Sequence, residues 1–200
     1  MGKPKQHPVG TTVGWPVLEV DNAALFASPA DWISPNAEGG YKENPPAADG
    51  SKVIITDTDH LWSVGGTYKW VWKSFCRGLN PIYMDRLAAD PRSAAVRKAM
   101  GDTLAYAARL PLAAMLPRPD LASTGYCLAK PGAAYVVYLP IDPQRQRPTV
   151  TVALSAAVGD LGVEWFNPRT GATMAGGGVI ALFPRRYAAC CPGSTCALSS

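Results

Sequence analysis

The sequence predicts an α/β region followed by an all-β region, and three observations predict it. Over residues 1–118, short Val- and Ile-rich runs alternate with segments of helical periodicity. From about Leu121 the apolar pattern switches to period two. Between the two stretches, Pro117, Pro119 and Asp120 form a proline-rich boundary.

In the first region His7–Val13, Lys52–Thr58 and Asn80–Asp85 read as buried strands, because each is apolar and bounded by Gly, Pro or Asp. The segment Gly14–Gly50 reads as a long loop. It holds Pro16, Pro29, Pro35, Pro45 and Pro46 and offers one short helical start at Ser28–Trp32. Long loops in compact domains are usually functional or disordered, and the aromatics Trp15, Phe26, Trp32 and Tyr41 favour an ordered loop over a site. Thr67 can cap a helix through Tyr68, Val71, Trp72 and Phe75, with Gly78 as its stop. Asp90-Pro91 opens a second helix, in which Val96, Met100, Thr103, Leu104 and Ala107 recur at helical spacing. Such alternation implies a parallel sheet covered by helices.

In the second region Tyr126–Ala129, Ala134–Leu139, Thr149–Leu154 and Gly162–Phe166 read as strands. Turns are expected at Pro131-Gly132, Ile141–Pro148, Gly159-Asp160 and Asn167–Gly171, which makes an antiparallel β-sandwich. Neither region reaches the usual size. An eight-stranded α/β barrel takes roughly 250 residues, and a sandwich commonly has about seven strands. The tail from Pro184 has no strand period, and it holds Cys190, Cys191 and Cys196. A reading-frame slip in the coding sequence explains it best, with a genuine disordered tail as the alternative.

With 48% hydrophobic and 17% charged side chains the chain is globular rather than disordered. A net charge of +4, with neither half polybasic, does not suggest a nucleic-acid partner. No apolar run approaches the ~20 residues of a membrane span, and Met1–Gly10 is not followed by an apolar signal stretch. Compartment and oligomeric state are left open. The five cysteines show no CxxC pair, so no structural zinc is expected. Cys76, inside a helical pattern, reads as a buried thiol. HExxH, GxSxG and a phosphate loop are all lacking, and no metal or cofactor is expected.

The sharpest chemical feature is Val53-Ile54-Ile55-Thr56-Asp57-Thr58-Asp59-His60. An apolar strand runs into two carboxylates and an imidazole, and active sites of α/β sheets form at the carboxyl ends of strands. If the strand persists, alternation puts Asp57 and Asp59 on one side and His60 opposite. Close carboxylates disfavour joint ionisation, which suits acid/base work. A plainer reading has the aspartates capping a turn and His60 making a supporting hydrogen bond. Asp85 ends the third strand at the same rim, as a substrate contact or a loop anchor. Trp62, with Trp15, is a candidate sugar platform, whereas of Trp70 and Trp72 at least one belongs to the core. His7 begins its strand, at the stability face.

Asp57-Thr58-Asp59-His60-Leu61-Trp62, Trp70–Phe75 and Gly78-Leu79-Asn80-Pro81 resemble the end of the barrel in apiosidase-like glycoside hydrolases. Asp120–Cys127 and Glu164–Gly171 are similar to the small β-sandwich that follows that barrel and carries a collagen-binding label. The resemblance runs over most of residues 5–180. It implies the C-terminal portion of a (β/α)8 barrel at 1–118, a β-sandwich at 119–183 and an atypical tail, expected to be disordered, at 184–200, with both folded parts incomplete. It also implies a retaining mechanism with two carboxylates ~5–5.5 Å apart, acting on a glycoside or polysaccharide. Asp59 matches the nucleophile by position, as an acidic residue followed by His. Here it is Asp where the family more usually has Glu, and the acid/base has no counterpart. Catalytic candidates are therefore Asp59, Asp57 and His60, and substrate contacts Trp15, Trp62 and Asp85. Because an open half-barrel forfeits burial, the chain by itself is expected not to hydrolyse glycosides. The alternative is a non-catalytic carbohydrate- or matrix-binding module.

Overall fold

A computed structural model describes residues 7–12, 21–61, 67–87, 90–141, 149–157, 159–181, 186–190 and 195–199, with backbone alone from residue 180 onward. Four parallel strands, β1 (Gly10–Thr12), β2 (Trp32–Ser34), β3 (Val53–Asp57) and β4 (Asn80–Ile82), form one sheet in chain order. This is one strand more than the apolar runs predict. Strand β2 lies where a loop with a helical start is expected. Only three residues long and hemmed by Pro29 and Pro35, it has too few positions to show a period. Pairing on both sides makes it a strand: Trp32 stands against Gly10 and Val53, and Ile33 against Thr11 and Ile54. A side chain at Gly10 would collide with the Trp32 indole, so only glycine fits beside it. Helix α1 (Asn22–Ala27) precedes β2, capped by Asp21, which accepts from the Ala24 N–H at 2.8 Å.

Tyr41 does not lie over a site as expected. It packs with Leu25, Ile33, Ile54 and Leu79 behind the sheet, and burial, with Asp49 nearby, pushes its phenol up to about 12. Strand β4 ends at Ile82, so Asp85 sits three residues beyond the strand rather than at its end.

Helix α2 (Tyr68–Cys76) starts where Thr67 accepts from the Trp70 N–H, and it stops at Gly78. There φ is +73° and a Cβ would come within 2.8 Å of Pro117, so glycine is needed for both conformation and space. Trp70, Val71, Trp72, Phe75 and Cys76 are all buried, because α2 lies between two layers. Helix α3 (Pro91–Arg109) opens on Asp90, whose carboxylate accepts from the Ser93 N–H at 2.9 Å. Trp72 meets Phe75 and Tyr106 edge-on, with centroids 6.1 and 5.8 Å away, and Phe166 at 5.2 Å. Both Trp70 and Trp72 are thus core. Cys76 is a buried thiol whose S–H faces the Val136 carbonyl, and burial raises its pKa strongly.

The second region is antiparallel. Strands β5 (Leu116–Pro117), β6 (Cys127–Lys130), β7 (Ala134–Tyr138), β9 (Gly159–Phe166), β10 (Thr173–Ala181) and β12 (Thr195–Ser199) form a six-stranded sheet in the order β10-β9-β12-β7-β6-β5. Strands β8 (Thr149–Ala153) and β11 (Arg186–Cys190) pair separately. Alternation sorts the large sheet's side chains: Leu128, Val136, Tyr138 and Phe166 join the α2–α3 core. Cys127, Tyr135, Val137, Val163 and Trp165 face Val150 and Val152 of β8 and Leu154 just beyond it. With both faces covered, Ala134–Leu139 reads as a continuous apolar run.

Of the tail, residues 186–190 and 195–199 are described, and both stretches form strands. Strand β12 fills the slot between β7 and β9. Main-chain hydrogen bonds on both edges depend little on side-chain pattern, so the missing period misled. Gly159-Asp160, expected as a turn, opens β9 instead.

A polar clip also holds α3 to the sheet. Glu164 accepts from the Tyr106 hydroxyl at 2.5 Å and pairs with Arg109 at 3.1 Å. Hydrogen bonds from Arg109 and then Tyr106 hold the Glu164 carboxyl below its ordinary range. A carboxylate with a lowered native pKa adds stability above its unfolded value of about 4.3, and the gain is lost as pH falls through the native value. In urea melts, the advantage of wild type over Glu164→Gln should shrink steadily as pH drops from about 5 toward 3. Trp72→Ala should cost about 3–5 kcal/mol in the same measurement.

Candidate active site

The carboxyl ends of β1, β2 and β3 meet in one polar cluster. Because β3 ends at Asp57, the chain turns at once, and the expected separation of His60 from the aspartates does not occur. Asp57 Oδ1 accepts from the His60 backbone N–H at 2.8 Å, which folds residues 58–60 back on the strand. The ligating atoms of Asp57, Asp59 and His60 lie within 4.8 Å of one another.

Within the cluster the three groups differ. Asp57 is 2% exposed, and its Oδ2 accepts from the Ser34 hydroxyl at 2.6 Å. His60 Nδ1 lies 3.2 Å from that same oxygen and 3.1 Å from Ser34 Oγ. Since the Ser34 hydrogen goes to Asp57, both neighbours offer lone pairs, and Nδ1 is the ring nitrogen that carries a proton. Nε2 lies 3.3 Å from Thr12 Oγ1, whose hydroxyl donates to the Ser34 carbonyl at 3.3 Å. Asp57 therefore caps a turn and orients the imidazole. Asp59 is exposed and presents its carboxylate to solvent. The three side chains could also converge on a cation, although Asp57 already accepts hydrogen bonds on both oxygens.

Thr58, fully buried, braces the rim: its N–H donates to the Ile82 carbonyl at 3.3 Å and its Oγ1 accepts from the Met84 N–H at 3.0 Å. That contact draws the exit of β4 toward the exit of β3. Asp85 follows there, half-buried, with Oδ2 lacking a hydrogen-bond partner among the described residues. Trp15 and Trp62 lie outside the described residues. His7 is exposed near the start of β1, away from the cluster. Ser34 and Thr12 were not candidates. Ser34 went unnoticed with its strand, yet a serine just before Pro35 at the end of an apolar pair was a readable signal.

No family model matches the chain, and no curated protein matches it. One solved structure, described as a glycoside hydrolase, is similar over 76% of this chain and 43% of its own, with a TM-score of 0.51 and 10% identity. Another, a glycoside hydrolase family 5 protein from Bacteroides vulgatus, covers 76% of this chain and 42% of its own, with a TM-score of 0.49 and 10% identity. The chain thus spans less than half the length of either protein. The fold is mixed α/β with a parallel sheet, consistent with part of a barrel.

Ser34→Ala should leave the buried Asp57 Oδ2 short of a donor and lower unfolding free energy by about 1–3 kcal/mol in urea denaturation. Asp59→Ala, at an exposed position, should change it by about 0.5 kcal/mol or less.

Proposed function

We propose that the chain carries the sugar-facing carboxylate of a retaining glycoside hydrolase, with Asp59 as nucleophile and Asp57 and His60 as its positioning residues. One observation carries the reading: a strand of a parallel sheet ends in a fixed carboxylate–imidazole pair beside a carboxylate open to solvent. In barrels this rim is where substrate binds. The imidazole proton on Nδ1 points at Asp57, so the ring is held rather than free to wander. A held ring can support Asp59 or accept from a sugar hydroxyl at Nε2. Asp85, at the neighbouring strand exit, is proposed as a further polar contact to substrate, with Trp15 and Trp62 as stacking partners. The likeness of fold to a glycoside hydrolase supports the reading, as do the segments that resemble the apiosidase-like family. The antiparallel layers are read, in the same proposal, as the small β-sandwich of that family.

The retaining reaction takes a second carboxylate, ~5–5.5 Å from the nucleophile, as acid/base. Asp57 does not suit that task because both of its oxygens already accept hydrogen bonds. A single copy of the chain is therefore proposed to bind sugars without hydrolysing them. Ligand-observed NMR with a panel of mono- and oligosaccharides tests the site. Binding should weaken by about tenfold or more in Asp59→Asn, a loss of about 1.4 kcal/mol. Binding unchanged by that substitution overturns the assignment. Aryl-glycoside turnover by the monomer, abolished in Asp59→Asn, overturns the proposed inactivity.

A further inference from the structure

Among the described residues, the parallel sheet is covered on one face only. Ile33 and Ile54 point to the side of Leu25, Tyr41 and Leu79. Their neighbours in register point the other way: Trp32 is half-buried, Val53 is 54% exposed, Ile55 is half-buried and Ile82 is 39% exposed. Parallel sheets occur almost only with both faces buried, and an apolar sheet face in water marks a contact surface. Both outer strands, β1 and β4, also lack a strand partner on their outer edges among the described residues. Free strand edges recruit further strands.

The two edges complement each other. The Val9 carbonyl accepts from the Asp31 and Trp32 N–H groups, so Val9 and Thr11 turn their backbone groups toward β2, and Gly10 and Thr12 turn theirs outward. The Ile82 carbonyl accepts from the Thr58 N–H, so Ile82 faces β3 and Pro81 faces outward. Pro81 has a carbonyl to offer and no N–H. The β4 edge therefore accepts at Pro81 and, by the same alternation, can donate from Tyr83, while the β1 edge can donate from Gly10 and Thr12. Two β4 edges paired together would set proline against proline with no donor between them.

We infer that a second copy of this chain covers the open face, β1 of each copy pairing with β4 of the other around a twofold axis parallel to the strands. Such an axis keeps every strand running in one direction. Two sheets of four strands then close into eight, the number whose interior side chains just fill a barrel. Both edges vanish, and Trp32, Val53, Ile55 and Ile82 of the two copies meet inside. Closed twofold symmetry is the commonest arrangement of soluble oligomers. The Asp57–Asp59–His60 clusters of both copies then open on the same mouth. This inference concerns the surface alone and stands or falls independently of the sugar chemistry.

Sedimentation equilibrium with the full 200-residue chain, together with hydrogen exchange, tests it. A particle of twice 21.2 kDa is expected, with backbone amides of both Gly10–Thr12 and the segment around Tyr83 becoming slower to exchange as concentration rises. Val53→Glu and Ile82→Glu place a charge inside the closed barrel and should raise the dimer dissociation constant by about a hundredfold. Both side chains already reach water in the single chain, so these variants should keep the melting temperature of the isolated monomer. Leu104→Glu, 72% exposed on α3, should leave the dimer intact. A chain that stays monomeric at high concentration overturns the inference. So does a dimer indifferent to Val53→Glu and Ile82→Glu, or one that protects only one of the two edges. Sugar binding that survives in a monomer would leave the site proposal standing while this one fails.

Discussion

The burial of Trp72 is the constraint on which the two halves of the molecule depend. Its indole has no exposed surface and touches Phe75 on its own helix, Tyr106 on α3 and Phe166 at the end of β9. Aromatic contacts of this kind bury large apolar areas and also prefer particular ring orientations. The helix that carries Trp72 is thereby fixed in angle as well as in depth. Helix α2 has no solvent face broad enough to turn toward water, so it cannot rotate without exposing Trp70, Trp72 or Cys76. With α2 fixed, the loop through Gly78 delivers β4 beside β3, and the rim is assembled.

At that rim, order comes from one buried charge rather than from apolar packing. A carboxylate as enclosed as Asp57 is costly unless its lone pairs are met. Ser34 from β2 and the His60 backbone meet them, and in doing so they join two strands and a turn. Asp59 spends nothing on the scaffold. Two aspartates two residues apart therefore differ in kind, one enclosed and one open to solvent, because the strand stops between them.

Much of this was legible in the linear order of residues. Asp90-Pro91 and Thr67 act as caps through local hydrogen bonds, which depend on nothing distant. Gly78 ends its helix for an equally local reason. Apolar runs of five or more residues announced β3 and β7. Strand β2 did not announce itself, because three residues cannot display a period, and its identity comes from the strands on either side. Strand β12 did not announce itself either, because its five residues show no apolar alternation. Its position is set by two neighbouring ladders, whereas its composition suggests a tail.

Local chemistry in the chain thus determined the helix boundaries, the alternation of classes and the presence of carboxylates after Ile55, since capping, periodicity and strand ends are short-range properties. Which aspartate is enclosed and which is exposed, where His60 points, and which face of the parallel sheet packs against Leu25, Tyr41 and Leu79 were decided only by tertiary structure. These depend on Ser34, Thr12 and Ile82, residues far apart in sequence that only the folded sheet brings to one edge.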